Sequence, residues 1–158
     1  MRRKVLEFIV TGFCIGKIKW APGTFGTLLG IPLAILLNFG NIYFYMGATL
    51  ALILFAIFLC HFYQLATHEH DQPSIVIDEV VGYLVTMTWL PHHWLPYALG
   101  FVLFRFFDIL KPFPINILDQ KIKGGLGVVA DDLAAGLLSN ILLQLIFSKS
   151  QLVQEWML

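Results

Sequence analysis

Charge is scarce in this sequence. Only 13% of its 158 residues are Asp, Glu, Lys or Arg, against 58% hydrophobic, and ten basic residues cancel ten acidic ones. A soluble domain carries roughly 25% charged residues. Disorder, which requires low hydrophobicity and high charge, is excluded. No basic excess exists to meet a phosphate backbone, so a nucleic-acid partner is not expected. Cysteine is also rare. Cys14 and Cys60 are too few for a disulfide framework, and both sit in apolar surroundings as small hydrophobes. What remains is apolar sequence, with a mean hydropathy of +0.79. That composition reads as an integral membrane protein.

The length admits about three to five spans of ~20 residues each, and little else. One membrane domain over 1–158 is expected. Met1-Arg2-Arg3-Lys4 has the look of a signal n-region, but Glu7, Lys17 and Lys19 interrupt the apolar run and no small-residue cleavage site follows. No cleaved signal is expected, and residues 1–19 read as a cytoplasmic segment.

Three stretches lack Asp, Glu, Lys and Arg altogether: 20–67, 80–104 and 133–148. The first is too long for one span, and Gly40-Asn41 breaks it at a natural turn. Helices at about 24–39 and 43–63 follow, the second with tyrosines at both ends, as at a membrane interface. The second stretch admits either one span or a hairpin of two short helices. Pro91-His92-His93-Trp94-Leu95-Pro96 lies in its middle, a poor bilayer centre and a good turn. Basic residues favour the hairpin. Arg2, Arg3, Lys4, Lys17 and Lys19 form one cluster, and Arg105, Lys111, Lys121 and Lys123 another. Lys and Arg accumulate in cytoplasmic loops, so an even number of crossings separates the clusters. Helices at about 79–90 and 95–107 are expected, then a last one at about 132–147. The fold class is all-α, a polytopic helical membrane protein.

The acidic residues are placed at expected helix ends. Asp78-Glu79 opens the third apolar stretch, Asp108 closes it, and Asp131-Asp132 opens the last helix. Under the hairpin topology all five lie on the cytoplasmic face. Carboxylates converging at one depth repel unless a positive charge lies between them, and hard cations such as Mg2+ take oxygen ligands of this kind. The plainer alternative is helix capping, for which Asp78 and Asp131 are suited. Capping does not account for Asp108, whose charge is unfavourable at a helix C-terminus. Arg105 lies three residues before Asp108, on the same helical face, where a simple ion pair is the plain reading and an anion clamp with Lys111 the functional one. Ala21 to Thr27 and Gly124 to Asp132 supply glycine-bearing segments at helix starts, where backbone N–H groups can meet an anion.

Other chemistries fail on inspection. A cysteine-based phosphatase needs an arginine six residues past its cysteine; Trp20 and Ala66 stand there. No Asp-x-Asp pair, P-loop or βαβ-linked glycine fingerprint is present. His68-Glu69-His70-Asp71 is suggestive of metal ligation but reads as a polar loop. His92 and His93 read as outer-interface residues.

Four segments together resemble the phosphatidylglycerophosphatase A family: Gly23-Thr24-Phe25-Gly26-Thr27-Leu28, Ile77 to Gly82, Phe104 to Ile115, and Gly124 to Gly136. They run in family order over about residues 20–140. The resemblance implies an all-helical, multi-pass bacterial inner-membrane enzyme with an acidic site facing the cytoplasm. It implies Mg2+-dependent removal of the terminal phosphate of phosphatidylglycerophosphate in phospholipid synthesis. Mapped onto this chain, Asp78, Glu79, Asp108, Asp131 and Asp132 would hold metal. Glu79 and Asp131 would join Arg105 and Lys111 in catalysis. Gly23, Thr24, Gly26 and Thr27, with Arg105 and Lys111, would bind the substrate phosphate. Membrane lipids and the lipid substrate are the expected partners, with no nucleic acid. A small cation transporter using the same acids is the rival reading. It predicts acids near mid-membrane, and Arg105 and Lys111 would repel its cargo. A CDP-lipid transferase would need an Asp-Gly-led motif that is absent, and a purely structural role leaves the acids unexplained.

Overall fold

The structure, a computed structural model, describes residues 3–67, 72–113, 115–117 and 122–149. The His68 to Asp71 loop, Arg2, Pro114 and Lys121 lie outside them. Among the described residues there are helices and turns and no strand. We number the helices α1 (Arg3–Val10), α2 (Pro22–Asn38), α3 (Ile42–Thr67), α4 (Ile77–Thr86), α5 (Trp94–Leu110) and α6 (Gly125–Lys149), with a 3-10 turn at Ile15–Lys17. By length and composition, α3 and α6 are long and apolar enough to cross a membrane, and α2 is a shorter apolar helix.

Local chemistry sets the breaks. Pro22 starts α2, at a position that needs no N–H donor. Asn41 caps α3, its Oδ1 accepting from the Phe44 N–H at 2.9 Å. The segment 77–110 is two antiparallel helices separated by the proline-histidine turn. Met87 meets Gly100, Gly82 meets Phe104, and Glu79 lies 4.0 Å from Arg105. Residues 3–10, expected only as part of a cytoplasmic segment, form an amphipathic helix whose Leu6 and Val10 are buried with Ala56, Leu59 and Cys60 of α3.

One expectation needs correction. The last helix begins at Gly125, not near residue 132. Asp131-Asp132 therefore lie nearly two turns inside it, and Asp131 is not its cap. Gly124 takes a left-handed φ of +78°, which turns the chain into the helix. Gly125 then packs on the backbone of Ile57 and His61 of α3, where a side chain would not fit.

The short helix α4 is the centre of the molecule. It packs on α2, α3, α5 and α6, and six of its ten residues are buried. A helix that ends inside apolar surroundings leaves its last carbonyls without partners. Here side chains supply the donors. The Thr86 hydroxyl donates to Gly82 O, and the Tyr45 hydroxyl to Leu84 O at 2.8 Å. Asn140 of α6 donates from Nδ2 to the carbonyls of both Thr86 (2.8 Å) and Thr88 (2.7 Å).

Candidate active site

The α4–α6 crossing assembles the site. Gly82 and Gly136 meet there: a Cβ on Gly136 would collide with the Gly82 carbonyl, and one on Gly82 would stand 2.8 Å from the Asp132 carbonyl. Small residues let the two backbones approach this closely. Asp78 and Glu79 lie one turn before Gly82, and Asp132 one turn before Gly136. The crossing therefore sets all three acids at one level. Each offers a carboxylate oxygen, and these lie within 4.8 Å of one another.

Asp78 and Asp132 are buried, and Glu79 nearly so. Asp78 Oδ1 accepts from the Glu79 N–H at 3.0 Å. Glu79 Oε2 and Asp132 Oδ1 are shielded from solvent and have no hydrogen-bond partner among the described residues. Buried carboxylate oxygens without donors are costly, and three adjacent carboxylates repel. Both costs fall if a cation lies between them. The donor set is all oxygen, which suits a hard divalent ion such as Mg2+.

The other two acids are matched to cations. Arg105 Nη1 donates to Asp108 Oδ2 on the same face of α5 and lies 4.0 Å from Glu79 Oε1. The Arg105 pair offsets an anion at the C-terminal end of α5, where the helix dipole disfavours it. Lys111 Nζ donates to Asp131 Oδ2 at 2.6 Å. Lys111 sits at the end of α5 with a left-handed φ of 42°, its N–H held by the Phe107 carbonyl. A non-glycine residue in that conformation is strained, and here the strain accompanies the reach of Lys111 to α6.

These groups surround a cavity of about 460 Å³. Asp78, Glu79, Asp108, Asp131, Asp132 and Lys111 line it, so six expected site residues converge. Arg105 is behind Glu79 rather than on the wall. Gly23 is in contact with the same pair: a Cβ there would collide with Glu79 Oε1 and lie 2.9 Å from Arg105 Nη1. Gly26 packs against Val76. Thr27 is buried and donates its hydroxyl to the Gly23 carbonyl at 2.9 Å, and neither it nor Thr24 lines the cavity.

Sequence reasoning misses part of the wall. Gln64, Gln72 and Lys123 also line the cavity, and Gln72 accepts from the Tyr63 hydroxyl at 2.7 Å. Gln64 carries one legible signal, a polar residue near the end of a long uncharged apolar run. Nothing in the sequence says that it turns toward the acids.

Known proteins resemble this chain over most of its length. The family model described as phosphatidylglycerophosphatase A matches residues 8–147. A phosphatidylglycerophosphatase A of Haemophilus influenzae is 37% identical over 97% of this chain and 91% of its own. That of Escherichia coli is 37% identical over 84% of this chain and 78% of its own. A Bacteroides thetaiotaomicron protein, provisionally named a phosphatidylinositol-3-phosphatase, is 37% identical over 85% of this chain and 89% of its own. No solved structure matches. None of these relatives supports cation transport. With the match spanning every helix that builds the acidic cavity, the chain belongs to the phosphatidylglycerophosphatase A family.

Proposed function

We propose that the protein is a Mg2+-dependent lipid phosphatase. It hydrolyses the terminal phosphate monoester of phosphatidylglycerophosphate, releasing phosphatidylglycerol and inorganic phosphate at the cytoplasmic face of the bacterial inner membrane. The observation that carries this reading is the convergence of Asp78, Glu79 and Asp132, two of them with buried, unpartnered oxygens, on a cavity that also presents Lys111 and Lys123. The family and its named relatives supply the substrate.

Asp78, Glu79 and Asp132 would hold the cation. Bound there, it would neutralise the phosphate and make a bound water more acidic. Glu79 is the carboxylate we assign as general base: it offers one oxygen to the cluster, and its other can take a proton. Lys111, steadied by Asp131, meets the negative oxygens of the phosphate. Arg105 acts from behind, orienting Glu79 and balancing Asp108. Gly23 lets the start of α2 close over that pair and so supports Glu79 and Arg105 from outside the cavity. The acyl chains remain in lipid, and only the head group enters the cavity.

The test is phosphate release by purified protein in detergent, with and without Mg2+, beside Asp132→Asn and Asp131→Asn. Mg2+-dependent release from phosphatidylglycerophosphate, lost in Asp132→Asn, is expected. Phosphatidylinositol 3-phosphate belongs in the same panel, because one relative is named for it. Preference for that lipid would overturn the substrate assignment while keeping the site. No release across several divalent metals would overturn both.

A further inference from the structure

The N-terminal hook, residues 3–20, takes no part in the cavity, yet its surface is distinctive. Leu6 and Val10 are buried, while Val5 and Phe8 on the opposite side of α1 are about half exposed. The chain then makes a tight turn in which Phe13 and Cys14 both adopt left-handed φ, 58° and 72°. Such backbone is unfavourable for L-residues. Its visible result is that Phe13 stands 67% exposed, edge-on to Phe8 with ring centroids 5.3 Å apart. Trp20, at the end of the hook, is 83% exposed. Four exposed cations lie among these groups: Arg3, Lys4, Lys17 and Lys19. Glu7 is the single acid of the hook, and Lys17 pairs with it at 2.6 Å.

Exposed aromatics interleaved with excess cations match the boundary between acyl chains and anionic head groups. The hook is also fixed at the acidic end of the molecule. The Val76 N–H donates to Val10 O at 3.0 Å, and Gly16 packs on the Ser74 carbonyl. Both contacts fall just before Asp78. We propose that the hook is a docking surface for an anionic lipid leaflet. Phe8, Phe13 and Trp20 enter the interface, and Arg3, Lys4 and Lys19 gather anionic lipid head groups beside the acidic end. The inference concerns the outer surface and does not depend on which phosphate ester the cavity takes.

Cys14 provides the test, because it is exposed and Cys60 is buried. A donor fluorophore on Cys14 of the full-length protein, in vesicles, would report energy transfer to head-group-labelled phosphatidylglycerol or phosphatidylcholine at equal mole fraction. Phosphatidylglycerol enriched about fivefold around the hook, the factor one cation contributes at an anionic leaflet, is expected at low salt. Enrichment should vanish in high salt and in an Arg3→Gln, Lys4→Gln, Lys19→Gln variant. Phosphate release in detergent by that variant should be unchanged, which certifies its fold and separates this inference from the catalytic reading. Equal transfer to the two lipids in the wild type, or enrichment that survives the triple substitution, would overturn the proposal.

Discussion

At the scale of single residues, the five acids divide by what already neutralises them. Asp108 and Asp131 are bonded to Arg105 and Lys111, whereas Asp78, Glu79 and Asp132 face one another, with Arg105 no nearer than 4.0 Å to Glu79. The two classes should behave differently. Asp132→Asn keeps the shape of the side chain and removes a charge from the trio, and phosphate release should fall by about 10²–10³-fold, the loss typical of one preorganised electrostatic group. Asp131→Asn acts through Lys111, and about 10–100-fold is expected, the scale of a supporting partner. Isothermal titration with Mg2+ alone separates the two without catalysis: heat of binding should vanish in Asp132→Asn and persist in Asp131→Asn. Equal loss in both would mean that the trio is not the binding set. The acids themselves were legible in the sequence, because paired carboxylates bordering apolar runs have few structural uses. Their division was not, since which acid meets a cation depends on where α5 ends and how Lys111 turns there. The glycine-threonine motif was legible only in part: Gly23 reaches the Glu79–Arg105 pair, while Thr27 closes a bond within its own helix.

At the scale of elements, the register of α4 against α6 decides whether a site exists. Gly136→Ala places a methyl against the Gly82 carbonyl, which is backbone and cannot swing aside. Overpacking of this kind costs about 1–3 kcal/mol, and it separates Asp132 from Asp78 and Glu79 as well. Both the thermal inactivation midpoint and phosphate release should drop. Gly47→Ala, where a Cβ meets nothing within 4 Å, is the control and should lower neither. A second prediction concerns the end of α4. Asn140→Ala removes the donor shared by the Thr86 and Thr88 carbonyls. A stability loss of about 1–3 kcal/mol follows from leaving buried acceptors unmet, with Mg2+ affinity unaltered because the acids are two turns away. Unchanged denaturation in detergent would show that water or another donor replaces the amide. The break at the proline-histidine turn was readable because proline and charge patterning agree on it. The start of α6 was not, because the glycine-bearing segment from Gly124 reads as a lead-in to a helix near 132, and its glycines become helical where Gly125 packs on α3.

At the scale of the whole molecule, the most exposed aromatic residues gather at two ends. Phe39, Tyr43, Trp89 and Trp94 are strongly exposed around the α2–α3 and α4–α5 turns, which the bond from Asn38 Nδ2 to the Tyr97 hydroxyl ties together at 2.8 Å. Phe13, Trp20 and Phe113 are exposed at the opposite end, with the acids and nearly all the described basic residues. Between the ends, α3 presents Leu50, Leu54, Phe55 and Phe58 outward, a surface suited to acyl chains and ill suited to water. We propose that this apolar belt, bounded by aromatic girdles, sits in a bilayer, where the basic residues choose its orientation. The acidic end should face the cytoplasm, where positive charge is retained. In intact cells, a membrane-impermeant maleimide should therefore label His92→Cys, at the far turn, and reach Cys14 only after permeabilisation. Cys60 is buried and should stay silent in both. The reverse pattern would place the cavity outside and overturn the orientation proposed from the basic residues.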